Sequence, residues 1–262
     1  MYLLDNAPPT LRHRHLIAAM PDGGEITALT FAHNDAFLAI GTSRGVVTVL
    51  ELTLDARDKT KVIERSTAEH KDHAITALQW THADDKLFSA DDQGLVYAIQ
   101  LGDLFMSMFR KPELLYKADS KVVQLDILED KLIVSSLTKV MLINYVRHEA
   151  FNVGKRARQG EFGACFVSQR ELVSSRPGLR LWTVDMQGNV VATLNFQSSV
   201  TARAPSALFS VLPEGSVVKK IIKPVCNTPL YIITVLLSSW MRMRPLPLPL
   251  PPQTPPRTRP PA

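Results

Sequence analysis

From residue 26 to about residue 200 the apolar positions fall in short β-branched and aromatic runs, each closed by turn-forming residues, with no sustained helical period. The pattern repeats. Residues 26–52, ITALTFAHNDAFLAIGTSRGVVTVLEL, align without a gap on residues 75–101, ITALQWTHADDKLFSADDQGLVYAIQL, at an offset of 49. Ile26/Ile75, Leu29/Leu78, His33/His82, Leu38/Leu87 and Gly45/Gly94 are among the shared positions. A third copy, two residues shorter, runs from Val122 to Tyr145, and a looser fourth spans Gly163 to Phe196 with strands at LRLWTVD and VVATLNF. Turn signals at His33-Asn34-Asp35, Ser43-Arg44-Gly45, Ala83-Asp84-Asp85 and Asp92-Gln93-Gly94 cut each unit into strands. Four short strands in a unit of 45 to 49 residues predict a propeller blade, with Gly45 and Gly94 supplying a positive φ in the hairpins. Runs such as LAIG and LIVSSL do not alternate because a blade is covered on both faces. One segment departs from this pattern. Leu104, Phe105, Met108 and Phe109 recur at helical spacing behind Asp103, and Pro112 ends the run, which predicts a connector helix.

The predicted fold class is therefore all-β, with the propeller portion over 1–212 and an irregular, Pro-rich tail without fixed structure over 213–262. Charge supports the division. The 262 residues carry 30 Lys plus Arg against 25 Asp plus Glu, a net +5, but residues 241–262 hold four Arg and no acid, leaving +1 on residues 1–240. The basic excess thus belongs to a short tail and argues for neither nucleic acid nor an anionic membrane as partner. Cys165 and Cys226 form no CxxC or CxxH pattern, so a reduced, cytoplasmic protein is expected. No secretory signal is read in MYLLDNAPPT. The longest apolar run, Pro229–Trp240, has 12 residues where a spanning helix needs roughly 20.

EHKDHAITALQWTHADDKLFSADDQGLVYAIQL resembles a WD repeat, with His70 where that family has its Gly-His. The fold is accordingly expected to be a partial WD-repeat-like β-propeller of about four blades. VVQLDILEDKLIVSSLT, GEFGACF and SRPGLRLWTVDMQGNVVATLNF are similar to the N-terminal propeller shared by tectonin β-propeller repeat-containing protein 2 and the Hermansky-Pudlak syndrome 5 protein, over roughly residues 24–200. MYLLDNAPP and SRPGLRLW lean towards the first, SSLT and GEFGACF towards the second, and the first is preferred. The resemblance implies a non-catalytic scaffold of vesicle traffic or autophagy, alternatively a subunit for biogenesis of lysosome-related organelles. It implies protein partners, a hetero-oligomer, and peripheral association with endosomal, autophagic or endoplasmic-reticulum membranes. It also assigns structural blade positions to His70, Ser89, Asp91, Gly45, Gly94, Trp80 and Trp182. The match is partial: Leu50-Glu51 and Ile99-Gln100 stand where WD repeats have Trp-Asp, and Asp91 is a displaced substitute in the buried His-Asp-Ser-Trp network.

No catalytic, cofactor or metal site is assigned. His70-Lys71-Asp72-His73 with His82, Asp84 and Asp85 could suggest a metal, but His70 is explained by its blade and the Asp pair by a turn. GxxxxGK[ST], HExxH and GxGxxG are absent. A propeller enzyme is the remote alternative, to be recognised by carboxylates or histidines converging on the central channel. Arg147, Lys155, Arg156 and Arg158 are read as a solvated basic loop between the third and fourth copies, the lesser reading being a phosphate, lipid or acidic-protein contact. In the tail, Pro252, Pro255 and Arg257 satisfy an SH3-binding spacing, while Phe209 and Leu212 frame an aromatic-x-x-aliphatic motif of the kind that ubiquitin-like autophagy modifiers bind. A truncation or alternative exon that reads into unrelated sequence is the preferred reading of the tail, ahead of SH3 binding. Finally, four blades do not close a ring, so uncovered apolar faces are expected near Leu38, Ile40 and Val47 at one end and Val184, Val191 and Leu194 at the other.

Overall fold

The computed structural model describes residues 2–4, 11–14, 24–54, 60–101, 111–178, 180–195, 206–211, 217–220 and 232–234. The turn residues cut the chain where the repeats require, and each repeat closes into one four-stranded antiparallel sheet joined in chain order. A short hairpin, β1 (Tyr2–Leu4) with β2 (Leu11–Arg14), precedes them. Blade one is β3 (Ile26–Phe31), β4 (Phe37–Thr42), β5 (Val47–Leu54) and β6 (Thr60–Thr67). Blade two is β7 (Ile75–Trp80), β8 (Lys86–Asp91), β9 (Leu95–Gln100) and β10 (Glu113–Lys117). Blade three is β11 (Val122–Leu128), β12 (Lys131–Ser136), β13 (Val140–Asn144) and β14 (Glu149–Asn152). After the two-residue β15 (Glu161–Phe162), blade four is β16 (Ala164–Ser168), β17 (Glu171–Arg176), β18 (Arg180–Asp185) and β19 (Val190–Asn195). β15 then pairs in parallel with β20 (Ser206–Val211), which continues into β21 (Val217–Lys220) and β22 (Ile232–Thr234). The last two strands lie within the segment that the sequence reading leaves irregular. Among the described residues there is no helix; the connector helix expected behind Asp103 falls on residues 102–110, outside them, and Glu113–Lys117 beyond Pro112 is a strand.

The first strands of neighbouring blades, β3, β7, β11 and β16, stand side by side. Three of them carry a bulge at the same place, between Ile26 and Ala28, Ile75 and Ala77, and Val122 and Gln124, the local kink and twist that re-aims a strand. Second strands are buried on both faces: β4, β8, β12 and β17 share one burial pattern, with every residue after the first buried. The cores lie between blades. Ala39, Val47 and Val49 pack with Ile75, Trp80 and Leu87; Phe88 and Val96 with Val122, Leu132 and Val134; Ile133, Val140 and Leu142 with Phe166, Leu172 and Val184.

Two expectations are corrected here. Leu38, Ile40, Val47 and Val184 are buried, at 2%, 1%, 1% and 0% exposure, Val47 and Val184 because they face the neighbouring blade and Leu38 and Ile40 within a second strand buried at both parities. Exposure falls instead on Ile26, Leu29 and Phe31 of β3, and, as expected, on Val191 and Leu194 of β19. The basic loop is not uniformly solvated either. Lys155 and Arg156 are exposed, whereas Arg158 is 5% exposed, drawn inward by carbonyl oxygens of two blades.

Candidate functional site

Blade two closes around a buried histidine. Its preceding loop brings His70 over β8, where Nδ1 lies 2.8 Å from Asp91 Oδ2 and Nε2 lies 2.8 Å from Ser89 Oγ. All three side chains are essentially inaccessible. Asp91, displaced from the usual position, still completes the network: its other oxygen accepts the amides of Gln93 at 2.9 Å and Leu95 at 2.8 Å, which ties the network to the hairpin. That hairpin needs its glycine. Gly94 has φ +87, and a Cβ there would lie 2.7 Å from Ala118 O; Gly45 occupies the same turn of blade one with φ +77. The Tyr97 ring stands edge-on to His70 with centroids 4.8 Å apart, in a blade whose network has no tryptophan. Trp80 points away from the network into the seam between the first two blades, where its indole N–H donates to Thr30 O at 3.4 Å. Trp182 lies in blade four beneath the Arg176 guanidinium, 4.0 Å from its ring centroid.

Two aspartates tie blade to blade: Asp84, expected in a turn, and Asp126, which no motif marks. Asp84 accepts the amides of His33 and Asn34 at 2.9 Å each, and its Oδ1 lies 3.0 Å from His33 Nδ1. Burial opposes ionisation there, but these hydrogen bonds prevail and hold its carboxyl below the ordinary range. Asp126 accepts the Phe166 amide at 2.7 Å, joining β11 to β16, and burial pushes its acid up to about 6. The neighbouring Cys165 is free and buried, its thiol raised first by burial and then by Asp126. No motif announced either bridge, since each depends on the approach of a second blade.

His33, His82, Asp85, Asp126 and Glu129 border a groove of about 1010 Å³ along the first strands. The His33 and His82 rings meet edge to face at 5.1 Å. Asp84 and Asp126 spend their oxygens on backbone N–H groups, a structural rather than a general-base arrangement. His70, His82, Asp84 and Asp85 do not converge as ligands, and no group of three His, Cys, Asp or Glu among the described residues could hold a metal. A second cleft of about 830 Å³ lies between blades three and four, lined by Lys139, Lys155 and Arg156. Phe209 lies in β20, and Leu212, Pro252, Pro255 and Arg257 lie outside the described residues.

This architecture, with its first strands aligned and a buried His-Asp-Ser cluster, is that of WD-type propellers. The profile of the Vps8 beta-propeller matches residues 10–151, more than half of the chain. The chain belongs to the Vps8 beta-propeller family. Among curated relatives it is 35% identical to the human BLOC-2 complex member HPS5 over 178 residues, 63% of this chain and 16% of that protein. It is 34% identical to the Drosophila melanogaster homolog of HPS5 over 199 residues, 71% of this chain and 23% of that protein. It is 37% identical to human tectonin beta-propeller repeat-containing protein 2 over 169 residues, 61% of this chain and 12% of that protein. The chain therefore spans less than a quarter of the length of these relatives. The two groups of relatives match comparably, so the preference for the tectonin protein is not settled. Among solved structures, the Cps50 (Swd1) beta-propeller domain of Myceliophteria_thermophila superposes with a TM-score of 0.56 at 13% identity, over 80% of this chain and 71% of that chain, which speaks to fold alone. No helix among the described residues is long and apolar enough to cross a membrane.

Proposed function

We propose that the chain is a non-catalytic protein-interaction scaffold of intracellular vesicle traffic, acting peripherally in the cytoplasm through protein partners. The observation that carries this reading is the 35% identity to the BLOC-2 complex member HPS5 over 178 residues. The chemistry of the interior supports it: His70, Asp84, Asp91 and Asp126, the side chains best suited to acid–base work, are held in bonds to their own blade or to the next. A propeller offers several rims and loop faces to different partners at once, which is how a rigid all-β body serves a hetero-oligomer. Within this class, a BLOC-2-type subunit for biogenesis of lysosome-related organelles is at least as well supported as a tectonin-like autophagy component. The second reading is favoured by the 37% identity to the tectonin protein and by the Phe209–Leu212 spacing.

Purified chain, immobilised and offered the remaining purified BLOC-2 subunits, is expected to retain them. Failure to retain them, with binding of a ubiquitin-like autophagy modifier that is lost on Phe209→Ala, would shift the reading to the tectonin side. Binding of neither would remove both.

A further inference from the structure

Blades two and four share one frame with opposite charge. Ser89 and Ser174 are each the fourth residue of their blade's second strand, Asp91 and Arg176 each the sixth, and Tyr97 and Trp182 each the third residue of the third strand. In blade two the loop residue over this frame is His70, paired with the buried Asp91 carboxylate. In blade four it is Arg158. Its Nη1 donates to Ser175 O at 3.0 Å and to Ser174 Oγ at 3.5 Å, and its Nη2 to Ser136 O at 3.1 Å and Lys139 O at 3.4 Å. Where blade two buries an anion, blade four buries a second cation: Arg176 is 7% exposed and donates to Ala157 O at 3.0 Å.

Carbonyl oxygens satisfy N–H groups without cancelling a charge, and a buried charge lacking a counter-charge is costly. The Nε of Arg158 has no partner at all. Burial first, and then Arg176, pushes Arg158 down to about 9, while burial, Arg180 and Arg156 lower Arg176. Among the described residues, Lys155, Arg156, Arg158, Arg176 and Arg180 form no ion pair. Of the acids nearby, Asp119 is 3.4 Å from Lys139 Nζ and accepts from Thr138 at 2.7 Å, and Glu161 is 2.8 Å from Lys121, whereas Asp185 keeps its charge and is held in its own hairpin by the amides of Gln187 and Asn189 at 2.9 and 2.8 Å. The cluster borders the cleft between blades three and four, where Lys139, Lys155 and Arg156 share the lining with Asn152, Gln187 and Asn189.

We propose that this cleft binds a phosphorylated ligand of headgroup size, with Lys155 and Arg156 contacting the phosphate and the buried Arg158 and Arg176 supplying the positive field behind it. The missing counter-charge is concentrated in one concave place. A phosphate monoester brings nearly two charges and tetrahedral oxygens to a single point, matching guanidinium forks. A peptide carboxylate brings one charge at a time, and a flat bilayer surface does not reach into a cleft unless a headgroup projects from it. Free and lipid-borne phosphates share this chemistry. The inference does not depend on which relative the scaffold resembles.

The test uses the full 262-residue chain and a soluble inositol bisphosphate, titrated calorimetrically at two salt concentrations. Binding is expected to weaken with salt and to fall at least about tenfold in the double variant Lys155→Glu with Arg156→Glu, both residues being exposed, with an unchanged melting temperature. Arg147→Glu, on a different cleft, is expected to bind as the parent does. Should the double variant melt early, Lys155→Ala alone provides the same comparison. In a second arm, retention on phosphoinositide vesicles and release by the soluble headgroup would support the proposal with a lipid source; binding of the soluble compound alone would support a free source. The proposal is overturned by absence of inositol bisphosphate binding, by equal binding in the variant, by an equal loss in Arg147→Glu, by equal retention on phosphatidylserine vesicles of matched charge, or by preferential binding of a poly-glutamate peptide.

Discussion

At the scale of single residues the interior is held by side chains that close hairpins onto neighbouring loops. Asp91 does so three ways, through His70, Gln93 and Leu95. Its replacement by Ala strands a buried imidazole and two amides, so Asp91→Ala is expected to cost about 3 kcal/mol, read as a lower urea midpoint at unchanged slope. Gly94 marks the other side of the same turn. With φ +87 and carbonyl oxygens close to where a Cβ would stand, Gly94→Val is expected to destabilise by roughly 1–3 kcal/mol, seen as an earlier thermal transition. An unchanged transition would mean that the hairpin differs from the one described.

Pairing between elements explains why neither apolar alternation nor a long core strand is seen in the sequence. Each sheet is covered by a neighbour on its face, so the second strands bury residues of both parities. Phe88 sits in the seam between blades two and three at 0% exposure, and Phe88→Ala is expected to cost about 3–5 kcal/mol through lost contacts and a cavity, measured by chemical denaturation. The Asp126 bridge between β11 and β16 adds a pH signature. Its acid is raised from 3.8 to about 6 in the fold, so its stabilising contribution is fully present below the unfolded value and is lost as pH rises through about 6. Asp126→Asn keeps an oxygen for the Phe166 amide and removes the ionisation. The variant should therefore gain stability relative to the parent between pH 4 and 7, with the gap largest at the upper end. Asp84, Asp119 and Asp130, whose carboxyls are held low, act in the opposite sense and lose their contribution as pH falls through their depressed values, in both proteins alike.

For the whole molecule the telling surface is β3, where Ile26, Leu29 and Phe31 are 53%, 54% and 45% exposed on the first strand of the first blade. A row of apolar side chains on one strand promotes association. Static light scattering is expected to give a mass above the 29.1 kDa monomer at micromolar concentration, and Ile26→Lys with Phe31→Lys to restore the monomer without lowering the melting temperature. A parent that stays monomeric at 29.1 kDa would show that this strand is not adhesive.

The blade count, the strand order and the turn glycines were legible in the sequence because they follow from local rules: a repeat of turn residues spaces the strands, and only glycine takes a strongly positive φ cheaply. His70 and Ser89 were marked by the resemblance to a WD repeat rather than by the chain's own repeat, whose first copy has Pro21 and Ile40 at those offsets. The Asp84 and Asp126 bridges, the covering of Leu38 and Ile40, and the burial of Arg158 were decided only by tertiary structure. Each depends on two or more segments brought together, and a residue's own neighbourhood in the chain does not encode which carbonyl, amide or charge the approaching segment will present. The same approach of blade four to blade three buried Arg158 of a basic loop that composition reads as solvated and left Lys155 and Arg156 exposed on a cleft.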